Sequence, residues 1–192
     1  MFGRILGILT FRRATYLEVA KDRNAIGQAV ILVVISSLLY GFIGVAIVGI
    51  WAGAGRGNIV HVIGRGAIAS FSAFAGWIII AVLLVLVAAL FQGKSTVGEM
   101  LRVTGFVGGA FSIPVYFCGF VLVILGAVSA VEVVVGLIAV LELGGYTIGV
   151  SEAAGITMRR AFVTSLIASF VGFFAVILFA DLIMTALKIP AP

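Results

Sequence analysis

Residues 66–91 read GAIASFSAFAGWIIIAVLLVLVAALF and contain no charged side chain. An apolar run of about 20 residues is long enough for a helix to cross the hydrocarbon core of a bilayer. Outward from this stretch, residues 25–51 form a second uncharged run, and residues 100–150 are largely apolar, with Arg102, Glu132 and Glu142 as their charged residues. These runs predict a polytopic membrane protein.

The composition of the whole chain supports the same class of protein. The chain has 192 residues, of which 64% are hydrophobic and 10% are charged. Soluble domains are about 45–50% apolar and about 25% charged, and a short soluble chain encloses too little volume to hide so many apolar side chains. The composition therefore excludes a disordered chain and argues against a soluble enzyme.

We predict an all-α, polytopic transmembrane helical bundle of about five spans. The stretch 100–150 is too long for one span, so a turn around Leu125-Gly126-Ala127 must divide it. Pro114 is expected to kink a helix rather than end it, because neighbouring helices can satisfy the freed carbonyl. The alternative is four spans with a re-entrant element around Pro114. The predicted segments are an interfacial amphipathic segment at 1–24 and a five-span bundle at 25–192, with spans at 25–51, 66–91, 100–124, 128–150 and 158–187.

The first 24 residues are predicted to lie at the membrane surface. Four apolar residues share one helical face, which is typical of a helix in the headgroup plane: Phe2, Ile5, Leu6 and Leu9. Further on, Thr15 and Glu18 have capping-box spacing, in which the hydroxyl accepts from an early backbone N–H and the carboxylate reaches back. This spacing predicts the start of a second helix.

The distribution of Lys and Arg predicts the orientation. With the N-terminus inside, nine of the twelve lie in inner segments and three in outer segments. The positive-inside rule then places the N-terminus in the cytoplasm. The net charge of +5 indicates anionic lipid headgroups as a partner, and not nucleic acid. The inner set is Arg4, Arg12, Arg13, Lys21, Arg23, Lys94, Arg102, Arg159 and Arg160, and the outer set is Arg56, Arg65 and Lys188.

Glu142 is the strongest candidate for a functional residue. It lies ten residues from both Glu132 and Glu152, which is about 15 Å along a helix. If those two mark the membrane faces, Glu142 is near the midplane, where a carboxylate is costly and usually functional. Two roles stay open: a neutral acid that fixes helix packing, and a proton or cation relay. The expected hydrogen-bond partners are Tyr146 of the same helix, and Thr164, Ser165 or Ser169 of the last span.

Glycines at a spacing of four predict close helix packing. The pairs are Gly105 with Gly109 and Gly145 with Gly149, and the second pair shares a helical face with Glu142. Such faces serve either an intrachain bundle or a homo-oligomer.

Eight charged residues are predicted at the membrane faces, as solvated rims or as ion pairs. The outer set is Arg56, Arg65, Glu132 and Asp181, and the inner set is Arg102, Glu152, Arg159 and Arg160.

The chain offers few groups for catalysis. A single histidine, His61, and a single cysteine, Cys118, are too few for paired haem ligands or a zinc cluster. The sequence contains neither HExxH nor Gly-x-Ser-x-Gly, and a second acid at the depth of Glu142 is missing. We therefore predict a protein that is not an enzyme and has no cofactor or metal site.

Two stretches resemble the YIP domain family. The first is Gly93-Lys94-Ser95-Thr96 followed by Leu101-Arg102-Val103-Thr104-Gly105-Phe106 and a later proline, which is similar to the loop-to-helix signature of that family. The second is Gly149-Val150-Ser151-Glu152-Ala153-Ala154-Gly155-Ile156-Thr157 followed by Arg160-Ala161, which is similar to the entry into its last span. The five-span layout agrees with this resemblance.

The resemblance implies a non-enzymatic role in organising the membrane or its proteins. Eukaryotic members of the family contact Rab-type GTPases and carry a cytosolic extension. The short lead-in of this chain is more similar to bacterial and archaeal members, which implies the plasma membrane of a prokaryote and no GTPase-binding role. Expected partners are other membrane proteins or a second copy of the chain. The alternatives are an accessory subunit of a larger energy-transducing or transport complex, and a small transporter that uses Glu142.

Overall fold

The computed structural model describes residues 1–47 and 59–186. Within these ranges every regular element is helical, and five helices are long and apolar enough to cross a membrane. The predicted all-α bundle of five spans is therefore confirmed. The helices are α1 (Phe2–Leu9), α2 (Arg13–Lys21), α3 (Ala25–Leu39, continued by a π-helical segment, Tyr40–Ile47), α4 (Ile59–Leu90), α5 (Val97–Ile124), α6 (Val128–Ala154) and α7 (Met158–Ala186).

Helix α5 decides between five spans and four. It runs without interruption through Pro114, so the alternative with a re-entrant element is wrong. The chain then turns at Gly126, whose φ of 74° is left-handed and costs glycine no steric strain. Helix α6 begins directly after this turn, at Val128.

Three helices extend beyond the predicted spans, and the smallest extension is that of α5, which begins at Val97 and not at residue 100. Helix α4 begins at Ile59 and not at residue 66, so Arg65 lies inside it. Helix α6 continues past residue 150 to Ala154, where Gly155 ends it in a left-handed conformation with φ 65°. The physical reason is that hydropathy marks the apolar part of a helix, whereas backbone hydrogen bonding continues into the polar region. The predicted span ends at 51 and 187 lie outside the described residues.

The capping box of this chain is not the one predicted. Helix α2 begins at Arg13 without a side-chain cap, and Thr15 lies inside the helix, where its side chain contacts Gly7. The capping box instead begins α5. Thr96 Oγ1 accepts from the Glu99 N–H at 3.2 Å, and Glu99 Oε2 accepts from the Thr96 N–H at 2.7 Å. The threonine-to-glutamate spacing is the same in both places. In the first place, however, the Thr15 side chain packs against Gly7 of α1 and does not cap a helix.

The N-terminal helices are part of the bundle. Ile8 and Tyr16 are fully buried in a core cluster with residues of α3 and α5, and the Tyr16 hydroxyl donates to the Ile8 carbonyl at 3.0 Å. Burial raises the pKa of the Tyr16 phenol. The apolar face predicted for α1 is divided: Ile5 and Leu9 contact the core, while Phe2 is 73% exposed and Leu6 is also exposed. Ile5 and Leu9 therefore anchor α1 to the bundle, whereas Phe2 and Leu6 remain exposed at its surface.

Helix α5 is the central element of the bundle. It packs extensively against α3 on one side and α6 on the other, and α7 packs mainly against α4. This arrangement places the middle portions of all five spans around one internal space.

Candidate functional site

Glu142 lies near the middle of α6, with each end of the helix about 20 Å away. Its Oε1 accepts a hydrogen bond from Ser112 Oγ of α5 at 2.5 Å. The predicted partners of Glu142 are therefore corrected, because this side chain is directed toward α5 and not toward α7. In α7, Thr164 and Ser165 are buried with no hydrogen-bond partner for their hydroxyls in the described part of the chain.

A cavity of about 570 Å³ surrounds Glu142, and all five spans contribute to its wall. Much of the lining is apolar, and hydroxyl groups and aromatic rings supply the polar part. No lysine, arginine or histidine is among the described residues that line it. The polar and aromatic lining residues are Ser36, Ser37 and Tyr40 of α3 and its π-helical continuation, Trp77 of α4, Thr104, Ser112 and Tyr116 of α5, Glu142 and Tyr146 of α6, and Ser169, Phe170 and Phe173 of α7.

Tyrosine and tryptophan side chains form part of the cavity wall. The rings of Tyr40 and Tyr116 lie 6.0 Å apart between centroids. Trp77 is fixed in place because its indole N–H donates to Thr104 Oγ1 at 2.9 Å and to the Leu101 carbonyl at 3.2 Å. Tyr146, predicted as a partner of Glu142, lines the cavity without a hydrogen bond to that carboxyl group.

Part of the cavity wall is exposed at the surface of the bundle. Ala139 of α6 lines the cavity and is exposed. On α7, Leu166, Phe170 and Phe173 line the cavity and are also exposed, Phe170 by 65%. In a membrane these exposed side chains face lipid, so this part of the cavity wall borders the bilayer.

The glycine pairs singled out by their spacing lie in intrachain contacts. A Cβ atom added to Gly105 would lie 2.8 Å from Cβ of Ala29, and one added to Gly109 would lie 2.5 Å from Cβ of Leu32. Both contacts join α5 to α3. On α6, added Cβ atoms at Gly145 and Gly149 would contact Val107 and Val103 of α5 respectively. The four glycines thus hold α3, α5 and α6 close together.

Contrary to the sequence prediction, Arg102 is neither part of a solvated rim nor a member of an ion pair with any described residue. It is 8% exposed, and its guanidinium donates to two carbonyls at the end of α2. Nε lies 3.3 Å from the Val19 oxygen and 3.0 Å from the Ala20 oxygen, and Nη2 also donates to Ala20. The last carbonyls of a helix lack intrahelical partners, so Arg102 caps α2 and attaches it to α5.

A second cluster of charges holds α1 to α2. Arg4 donates from Nε to Glu18 at 2.8 Å and from Nη2 to Asp22 at 2.7 Å. The hydrogen bond from Arg4 lowers the pKa of the Asp22 carboxyl below its ordinary value, and the hydrogen bond to Asp22 raises that of the Arg4 guanidinium.

The remaining predicted interfacial charges are more dispersed. Glu152 pairs with Arg13 of α2 at 3.3 Å. Arg160 is exposed and donates to the Phe91 carbonyl at 3.5 Å, and Arg159 is exposed beside it. Glu132 and Asp181 are exposed and Arg65 is half-buried, whereas Arg56 lies outside the described residues.

Ser112 and Tyr116 are among the site residues that the sequence analysis did not assign to the site. A signal existed: Thr104, Gly108, Ser112 and Tyr116 follow at intervals of four along α5, and residues at this spacing share a helical face. The spacing of the first three is typical of close packing. In the structure this face lines the cavity.

Five apolar helices around a mid-bundle cavity, with two short helices docked at one end, define a polytopic α-helical membrane protein. A family model described as the Yip1 domain matches residues 6–179. The chain belongs to the Yip1 domain family, and the resemblance seen in the sequence is confirmed. Proteins of this family are not known as enzymes. No curated protein and no solved structure matches the chain.

Proposed function

We propose that this protein is a non-enzymatic scaffold that organises the membrane around it. The observation that carries the proposal is the attachment of an amphipathic N-terminal segment to one end of the bundle. Ile8 and Tyr16 anchor the segment, and Phe2 and Leu6 remain exposed. Three cations of the same segment are exposed and have no ion pair among the described residues: Arg12, Lys21 and Arg23. A segment that exposes both apolar side chains and cations is suited to one membrane leaflet with anionic headgroups.

We further propose that this end of the bundle faces the cytoplasm of a prokaryote, across its plasma membrane. Backbone contacts bring the basic loops together there. The Lys94 N–H donates to the Ala154 carbonyl at 3.0 Å, and Arg160 reaches Phe91 of the same loop. The N-terminal segment joins these loops because Arg13 pairs with Glu152. Cations concentrated at one end support a cytoplasmic location for that end.

Reporter fusions test this orientation. A reporter fused before Met1 is expected to be active in the cytoplasm, and one fused after Pro192 on the opposite side of the membrane, because five spans separate the two ends of the sequence. Reporter activity on the same side for both fusions would contradict the five-span topology. A cytoplasmic C-terminal reporter with an external N-terminal reporter would contradict only the orientation.

Native mass spectrometry tests the scaffold proposal. After gentle solubilisation, the protein is expected to retain anionic lipids such as phosphatidylglycerol. A triple variant, Arg12→Gln, Lys21→Gln and Arg23→Gln, should retain fewer, because about 1 kcal/mol of attraction is lost for each cation removed near an anionic surface. The matched control keeps the charges: Arg12→Lys, Lys21→Arg and Arg23→Lys. Equal retention of anionic lipid by all three proteins would contradict the proposal.

The same spectra separate the scaffold from the first alternative. A protein chain that co-purifies in fixed stoichiometry, with no dependence on anionic lipid, would favour an accessory subunit of a larger energy-transducing or transport complex. The second alternative, a small transporter that uses Glu142, is favoured by the cavity around that residue.

A further inference from the structure

The carboxyl group of Glu142 is only partly satisfied by the protein. Ser112 bonds to Oε1, and within the described part of the chain Oε2 has no hydrogen-bond partner. No described basic side chain lines the cavity. A carboxylate removed from water is costly unless it is paired and hydrogen-bonded. A cation bound in this cavity would supply the missing partner of the Glu142 carboxyl group.

The aromatic lining indicates which kind of cation fits. Organic ammonium groups bind over the faces of tyrosine and tryptophan rings, and this attraction strengthens where water is excluded. Tyr40, Tyr116, Tyr146 and Trp77 all line the cavity with Glu142. A divalent metal ion instead needs several oxygen ligands with more than one carboxylate as a rule, and no other acidic residue is among the described lining residues.

The size of the cavity and its border with lipid indicate the rest of the ligand. Its volume of about 570 Å³ is within the range of about 300–1,000 Å³ that is typical of small-molecule sites. Phe170 and Phe173 of α7 line the cavity and are exposed, so the cavity borders the lipid beside α7. An apolar chain attached to the ammonium group can therefore extend past these rings into the lipid.

We propose that the cavity binds a lipophilic amine, with its ammonium group at Glu142 and its apolar chain beside α7. The ligand enters from the bilayer and not from water. This proposal goes beyond the scaffold function and does not depend on it, because it concerns the middle of the bundle and not the N-terminal segment.

Binding of radiolabelled decylamine to the full chain in dodecyl maltoside micelles, which carry neither ammonium nor anionic groups, tests the proposal, with empty micelles as the background. We expect saturable binding of one decylamine per chain, and no saturable binding of decanol, which has the same chain without the charge. Absence of saturable decylamine binding, or equally tight binding of decanol, would overturn the proposal. Neither result would contradict the scaffold proposal, because that proposal concerns anionic lipids and this assay contains none.

Two variants locate the site. Glu142→Gln keeps the size of the side chain and is expected to weaken decylamine binding on the order of tenfold or more, the loss expected for a buried charge pair. Gly108→Leu keeps the carboxyl group, but its side chain would fill part of the cavity near Tyr146 and should also weaken binding. Gly136→Leu is the matched control, because Gly136 is exposed and has no neighbour within 4 Å of an added Cβ. Unchanged affinity in both Glu142→Gln and Gly108→Leu would overturn the assignment to this cavity.

A competition experiment identifies the source of the amine. Phosphatidylethanolamine carries an ammonium group on a lipid, and its addition to dodecyl maltoside micelles, which contain no other ammonium lipid, should displace decylamine if the natural ligand is a membrane lipid. If phosphatidylethanolamine does not compete while decylamine still binds, the ligand is a free lipophilic amine. Both results support an ammonium site at Glu142.

Discussion

Replacement of Gly149 by leucine is expected to prevent the bundle from assembling in its native form. A Cβ atom at this position would overlap Cγ1 of Val103 and lie 3.4 Å from the Tyr16 ring. The larger leucine side chain would force α6 away from α5 and would disturb the anchored N-terminal segment as well. Overpacking of a close-packed site costs up to about 3 kcal/mol and occasionally more, which for a chain of this size lowers the melting temperature by roughly 6–12 °C.

The measurement is thermal unfolding of the purified protein, together with the monodisperse fraction in size-exclusion chromatography. Gly136→Leu is the matched control on the same helix, since Gly136 is exposed and an added Cβ there has no neighbour within 4 Å. We expect this control to unfold within a few degrees of the wild type. If Gly149→Leu unfolds at the same temperature as Gly136→Leu, the close contact between α5 and α6 is not as described.

Replacement of Arg102 by alanine is expected to release the N-terminal segment from the bundle. The change removes the donors that satisfy the Val19 and Ala20 carbonyls, and a hydrogen bond to a charged group contributes about 1.5–3 kcal/mol. Backbone amides of α2 should then exchange with deuterium roughly 10–100-fold faster, while those in the middle of α5 keep their protection. Hydrogen exchange followed by mass spectrometry measures both regions in one experiment.

Arg159→Ala provides the control for the loss of a positive charge, because Arg159 is exposed and its side chain forms no ion pair or hydrogen bond with the described residues. Exchange in α2 should be unchanged in this variant. Arg102→Lys should give an intermediate rate, since an ammonium group presents a single point of contact where the guanidinium presents several donors in a fixed plane. Equal exchange of α2 in Arg102→Ala and in the wild type would show that α2 is held without this cap.

Arg102 connects the proposed scaffold function to the structure of the N-terminal segment. Arg102 belongs to a stretch that resembles the family signature, and in this chain that arginine fastens the segment through backbone carbonyls. Because Arg102 binds backbone carbonyls, the exposed side chain of Lys21 at the end of α2 remains available for the membrane surface. The scaffold proposal therefore makes Arg102 a positioning residue, whose loss should also reduce the retention of anionic lipid.

The sequence by itself predicted the class of protein and the family, and it favoured five spans over four. These properties follow from the length of the apolar runs and from the positions of single residues along the sequence. The uncharged run at 66–91 exceeds the length that a bilayer requires, and the stretch at 100–150 is too long for one crossing. Pro114 was correctly expected to remain within a helix, because neighbouring helices in a membrane can satisfy the carbonyl that it frees. The mid-helix position of Glu142 also follows from spacing alone.

Only the tertiary structure decided which side chains meet. The spacing of Thr15 and Glu18 is the same as that of Thr96 and Glu99, yet only the second pair forms a capping box, because contact with Gly7 places Thr15 inside α2. Glu142 bonds to Ser112 and not to α7, since α6 packs against α5 along the face that carries its glycines. Arg102 reaches a helix some 80 residues earlier in the sequence. Such pairings depend on how helices are arranged in space, and hydrophobic periodicity in a uniformly apolar helix does not specify which face meets which neighbour.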